Sequence, residues 1–219
     1  MTVSAVIFDM DGLMFDTEAL NFRAWHAAGE KHGFDITEEK FAPCIGVAVP
    51  TARRILEETF GPGFDFNAVR NDRIEWAFSW IAEHGMPEKP GLRELLSWLE
   101  GAGIKKAVAT SSPRNFIDFY FEHTPPLSFD SITTWEQGMQ GKPAPDIFLA
   151  AAKKLNAEPE SCVVLEDSYN GIRAAHAAGM IPIMVPDRLP PTPEIMRLAW
   201  RKADTLSGVI PLIEELNAE

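Results

Sequence analysis

Cysteine is scarce in this chain: there are two in 219 residues, Cys44 and Cys162. They stand far apart and offer neither a metal-ligand spacing nor a disulfide framework, which fits a reducing compartment. Basic charge is scarce as well. Lys and Arg number 20 against 32 Asp and Glu, a net charge of −12, and no basic run occurs. Nucleic acid and anionic membrane both need a basic surface, so neither is an expected partner. Long apolar runs are missing: the first stops at Asp9, too short for a signal segment, and nothing approaches the ~20 residues of a spanning helix. Repeats and low-complexity segments are absent. The histidines (His26, His32, His84, His123, His176) show no ligand spacing and read as surface or packed residues. The expectation is a soluble cytoplasmic protein, a monomer with a dimer as the alternative. A chain of 219 residues, 46% hydrophobic and 24% charged, can bury one substantial domain, or one domain carrying a smaller insert.

Strand-like alternation is also missing between Asp16 and Gly85. Three helical segments fill that stretch: Thr17 to Gly33, Thr51 to Gly61 and Phe66 to Gly85, with Ile74, Phe78 and Ile81 on one face of the last. Met86 to Gly91, with two prolines and a glycine, reads as a hinge. Beyond it, helices alternate with the strands around Lys105–Ser112, Phe129–Thr134, Ser161–Asp167 and Met180–Pro186, and two helices close the chain. Together with the opening strand at Val3–Phe8, this predicts an α/β fold. Its core is a doubly wound, parallel-sheet (Rossmann-like) domain interrupted after the first strand by an all-helical cap. The expected boundaries are 1–15 and 87–219 for the core and 16–86 for the cap.

What is present at the strand ends is carboxylate. The apolar run Val6-Ile7-Phe8 ends in Asp9 and Asp11, and a buried strand gains nothing from unpaired charge at its tip. In a parallel sheet the strand ends share one rim. That rim holds Asp9 and Asp11, then Thr110 and Ser111, then Glu166 and Asp167, with Lys142 opening the helix before the last strand. Four acids, two hydroxyls and a lysine suit a hard cation such as Mg²⁺ together with a phosphorylated substrate. Backbone N–H groups after Ser112-Pro113 can meet phosphate oxygens. A carboxylate nucleophile, here Asp9, divides a phosphoryl transfer into two steps, and a second acid, here Asp11, protonates the leaving group and later activates water. Gly12 lets the backbone turn after them.

The motifs "DMDGLMFDT", "VATSS", "GKPAPD" and "VVLEDSYNGIRAAHAAGM" resemble, in order and spacing, the four motifs of the haloacid dehalogenase-like phosphatases. The subgroup indicated is the beta-phosphoglucomutase-like one with a helical cap. The resemblance implies Asp9 as nucleophile and Asp11 as general acid/base whose carbonyl meets Mg²⁺. It implies Thr110 and Lys142 on the phosphate, and Glu166 and Asp167 on the metal. The metal set is therefore Asp9, Asp11, Glu166 and Asp167, and the substrate set is Thr110, Ser111, Lys142, Asn21, Gly46 and Arg114.

Departures from the mutase pattern favour hydrolysis. Asn21 stands where mutases carry a histidine, and Val47-Ala48-Val49 follows Gly46 where they carry an arginine for a second phosphate. The reading is a Mg²⁺-dependent phosphatase of small sugar or polyol monophosphates. The first alternative is a phosphomutase using Arg53 or Arg54, and the second a non-catalytic phosphate-binding protein. Several readings stay structural: Asp16 and Thr17 cap the first cap helix, Asp146 starts a helix after Pro145, and Trp25, Trp76 and Trp80 belong to the cap. The apolar loop Ala42–Pro50, without helical or strand periodicity, is expected to select the substrate.

Overall fold

A computed structural model describes residues 2–45, 47 and 49–218. The chain divides into two compact units, one of residues Met1–Asp16 with Pro87–Glu219 and one of residues Thr17–Met86. Strand β1 (Ala5–Phe8) opens the first unit. The second unit is helical among its described residues: α1 (Thr17–Lys31), α2 (Glu38–Phe41), a 3₁₀ turn at Ala42–Cys44, α3 (Val49–Phe60) and α4 (Phe66–His84). The chain then returns to the first unit. There α5 (Leu92–Gly101), β2 (Lys105–Thr110), α6 (Arg114–Glu122), β3 (Ser131–Thr134), α7 (Asp146–Leu155) and β4 (Cys162–Glu166) follow in order. The unit closes with α8 (Tyr169–Ala177), β5 (Ile181–Met184), α9 (Pro193–Leu198), β6 (Arg201–Lys202) and α10 (Ile210–Ala218).

The six strands are parallel and ordered β3-β2-β1-β4-β5-β6. β1 lies at the centre and buries every side chain, so it reads as a continuous apolar run rather than an alternating one. Ala5 and Ile7 join Ala107, Ala109 and Val164 beneath Phe148, Ala151, Ala174 and Ala175 of α7 and α8. The small residues let those helices approach the sheet closely. By the two-residue period of a strand, Val6 and Phe8 face the other side, where the Phe8 ring meets Phe129 edge-on at 5.7 Å. No helix among the described residues is long and apolar enough to cross a membrane.

The helical unit has its own core of Trp25, Ala28, Ile36, Phe41, Leu56, Phe64, Phe66 and Val69. Its two longest helices, α1 and α4, pack on each other. The pair is tied by Asp72, whose carboxylate accepts from Lys31 Nζ at 2.7 Å and pairs with His32 Nε2 at 2.6 Å. Within the stretch Ala42–Pro50, read as lacking helical periodicity, Ala42–Cys44 form a 3₁₀ turn and Val49 and Pro50 begin α3, while residues 46 and 48 lie outside the described residues. Pro43 sits in the first turn of the 3₁₀ segment, and Pro50 in the first turn of α3, where a missing N–H costs no hydrogen bond.

Candidate active site

The register of β1 and β4 builds the site. Phe8 lies opposite Leu165, so Asp9, one residue past β1, arrives beside Glu166, the last residue of β4. The Asp9 N–H donates to the Leu165 carbonyl at 3.1 Å and fixes the junction. Ligand oxygens of Asp9, Glu166 and Asp167 all fall within 4.8 Å of one another. Lys142 reaches this group from the loop before α7, its Nζ 2.5 Å from both Asp9 Oδ1 and Glu166 Oε1.

Glu166 is fully buried and fully engaged. Its Oε2 accepts from the Ser168 N–H and the Ser168 Oγ, each at 2.9 Å. Ser168 caps α8 by accepting from the Gly171 N–H at 3.0 Å. The Glu166 carboxylate occupies the space a side chain at residue 171 would need: a Cβ there would lie 1.8 Å from Glu166 Cδ. Gly12 does the same for Asp167. It holds φ at +79°, and a Cβ on it would lie 2.4 Å from Asp167 Oδ2. Two glycines thus make room for two carboxylates.

Three carboxylates against one ammonium leave the cluster electrostatically unbalanced. Burial pushes the Asp9 carboxyl up, from 3.8 to about 7, with Glu166 and Asp11 adding to the rise and Lys142 opposing it. Burial, then Glu166 and Asp9, hold the Asp167 carboxyl well above the usual carboxylate range. Burial alone would lower the Lys142 ammonium, but Asp9 and Glu166 outweigh it and keep the proton on. Burial and mutual repulsion thus oppose full ionisation of the cluster.

Asp11 accepts from hydroxyls, while its charge still reaches Asp9. Ser112 Oγ donates to Asp11 Oδ2 at 2.6 Å, and Thr110 Oγ1 does so at 3.4 Å. Thr110, the last residue of β2, in turn accepts from the Ser112 N–H at 3.0 Å. The hydroxyl beside Asp11 is therefore that of Ser112, while Ser111 is exposed. Arg114 is exposed and engaged along its own helix, its Nε 2.8 Å from Asp118. Asn21 lies on α1 of the helical unit, and Gly46 lies outside the described residues. Sequence reasoning did not single out Ser168 or Gly171. The cap signal Ser168-x-x-Gly171 ahead of α8 marks where a helix starts, but not that a buried glutamate folds back into it.

A family model described as haloacid dehalogenase-like hydrolase matches residues 3–179. The chain belongs to this hydrolase family. Among its curated relatives, the Phosphorylated carbohydrates phosphatase of Thermotoga maritima is 34% identical over 81% of this chain and 82% of its own length. Hexitol phosphatase B of Escherichia coli is 32% identical over 84% of each. Among solved structures, one named "putative beta-phosphoglucomutase" from Thermotoga maritima matches with a TM-score of 0.84 at 30% identity. That match covers 99% of this chain and 100% of the other. As a haloacid dehalogenase-like hydrolase, the chain carries the family's parallel sheet, with Asp9, Asp11, Thr110, Lys142, Glu166 and Asp167 at one end of it.

Proposed function

We propose that this hydrolase is a Mg²⁺-dependent phosphatase of small phosphorylated metabolites, sugar or polyol monophosphates, acting through an aspartyl-phosphate (acyl phosphate) at Asp9. The observation that carries the reading is the pair of settings in which the acids stand. Asp9, Glu166 and Asp167 gather around Lys142, while Asp11, near enough to raise the Asp9 carboxyl, accepts from the Ser112 and Thr110 hydroxyls. That arrangement suits a mechanism with one carboxylate for bonding to phosphorus and another for moving protons.

The acidic cluster suits a divalent cation. Three carboxyls share one lysine, burial and mutual repulsion raise those of Asp9 and Asp167, and Gly12 leaves room for Asp167. Asp9, Glu166 and Asp167 are all oxygen donors, the chemistry Mg²⁺ requires. Bound there, Mg²⁺ would supply the positive charge that keeps Asp9 ionised and shields it from an incoming phosphate.

The chain's own residues then carry the reaction. A carboxylate oxygen of Asp9 bonds to phosphorus as the bond to the leaving oxygen breaks, and Asp11 gives that oxygen its proton. Lys142 neutralises charge on the transferring group, and Thr110 offers it a hydroxyl. Asp11 next takes a proton from water as the water oxygen bonds to phosphorus. The Asp9–phosphorus bond breaks, freeing inorganic phosphate. The named activities of the Thermotoga and Escherichia relatives support the carbohydrate and hexitol class. The mutase alternative needs a second phosphate anchor, and Arg53 and Arg54 are each paired with a glutamate one turn along α3, Glu57 at 2.8 Å and Glu58 at 3.0 Å. The test is phosphate release from sugar, polyol and nucleoside monophosphates with Mg²⁺ and with EDTA. Release that depends on Mg²⁺ and centres on sugar or polyol esters is expected; no release from any ester would overturn the reading.

A further inference from the structure

A second ion pair at this rim has no part in the mechanism above. Lys89 Nζ lies 2.7 Å from Asp187 Oδ1 and 4.0 Å from Asp16 Oδ1. Asp187 is in the loop after β5, its side chain is 8% exposed, and its Oδ2 is buried without a hydrogen-bond partner among the described residues. A buried carboxylate with one oxygen unsatisfied is a poor way to gain stability. Its placement points to another purpose.

Lys89 belongs to the segment by which the chain re-enters the first unit, and that segment is stitched to the loop bearing Asp11. The Lys89 N–H donates to the Met14 carbonyl at 2.8 Å, and the Asp16 N–H donates to the Pro87 carbonyl at 2.9 Å. Phe15 bridges to Glu88 on one side and to Asp11 on the other. The Gly12 N–H donates to the Phe15 carbonyl at 3.0 Å, closing the turn. Phe15 is itself fixed, fully buried with its ring edge-on to Tyr120 and Phe121. At the other end, Val185, two residues before Asp187, donates to the Glu166 carbonyl at 2.8 Å. The Lys89–Asp187 contact therefore closes a circuit. It joins the turn that carries Asp11 to the strand end that carries Glu166.

We infer that Lys89 and Asp187 are positioning residues that hold the Asp11 turn in register with the acidic cluster. This rests on the proposed acid/base role of Asp11. The test compares the wild type with Asp187→Asn, Lys89→Met and the exchanged pair Lys89→Asp/Asp187→Lys. The measured quantity is kcat/KM, which covers only formation of the phosphoenzyme, for an alkyl phosphate and for p-nitrophenyl phosphate. The alkoxide needs a proton to leave and the nitrophenolate does not. Each single variant should lose about tenfold or more on the alkyl ester and less than about threefold on the nitrophenyl ester, a part of the roughly 10²- to 10⁴-fold that a general acid supplies. The exchanged pair should recover part of the loss. Equal losses on both esters, or none, would overturn the inference. Hydrogen exchange at the Gly12, Met14 and Phe15 amides gives a readout independent of activity, and it should quicken in the single variants. If the wild type releases phosphate from neither ester while exchange quickens, the phosphatase reading falls and the brace stands. Unchanged exchange removes the brace.

Discussion

Replacing Gly171 by alanine adds one methyl group and should damage both stability and cation use. Glu166 cannot stay where it is: its Cδ and Oε1 would each lie 1.8 Å from the new Cβ, and contacts below 3.0 Å essentially do not occur. Retreat to that distance pulls Glu166 from bonds of 2.5 Å to Lys142 and 2.9 Å to Ser168. Hydrogen bonds to a charged group contribute about 1.5–3 kcal/mol each, and overpacking costs about 1–3 kcal/mol. The better helix propensity of alanine returns at most about 1 kcal/mol. With two of the three bonds surviving in a shifted geometry, the net loss is about 2–5 kcal/mol. For a chain of this length that is a fall in Tm of roughly 4–20 °C. Displacing Glu166 should also raise the Mg²⁺ concentration for half-maximal activity by about 10- to 100-fold, the usual penalty for disturbing a metal's surroundings. Scanning calorimetry and a Mg²⁺ titration of phosphate release measure the two effects. Gly101→Ala is the control: nothing lies within 4 Å of a Cβ there, and the change should be neutral or stabilising by up to about 1 kcal/mol. A Gly171→Ala protein with the wild-type Tm and Mg²⁺ requirement would refute the claim that this glycine makes room for Glu166.

Asp9→Asn should abolish turnover and, in EDTA, alter the pH dependence of stability. Because burial raises the folded-state carboxyl to about 7 from an ordinary 3.8, the folded wild type holds a proton that the unfolded chain has lost. Wild-type stability from this group therefore declines as pH rises between about 4 and about 7. The Tm advantage of Asp9→Asn over wild type should grow across that window and shrink when Mg²⁺ is added. An advantage that stays flat with pH would contradict the raised carboxyl. Asp11→Asn should leave the fold intact and slow both formation and hydrolysis of the phosphoenzyme, about 10²- to 10⁴-fold each; rapid-quench kinetics showing normal rates would remove Asp11 as the proton carrier.

The parts of this molecule that were legible in its sequence are those set by strand periodicity. A strand such as Ala5–Phe8, buried throughout, announces itself as an apolar run, and in a parallel sheet its end names the rim, so Asp9, Thr110 and Glu166 follow directly. One residue past a strand that logic stops. Ser111 and Ser112 differ only in how the turn after Thr110 directs them, and hydrogen bonding to Asp11 selects Ser112. Gly171 was illegible for a related reason: what it accommodates is a side chain from another element. β6 carries no apolar signal at all. Arg201 and Lys202 are both exposed, and the strand exists because flanking Trp200 and Ala203 donate to the Pro182 and Met184 carbonyls, each within 2.9 Å.

The central position of β1 has a consequence for synthesis. Its two neighbours in the sheet are Lys105–Thr110 on one side and Cys162–Glu166 on the other, while Thr17–Met86 forms a unit with its own core. At a ribosome speed of roughly 5–20 residues per second, β1 waits about 8–30 seconds after it is made before its second partner emerges. Throughout that interval an apolar strand has an open edge, and the cluster that needs Glu166 cannot assemble. Activity in the nascent chain therefore switches on late and all at once, and the delay is when a chaperone would have most reason to hold it.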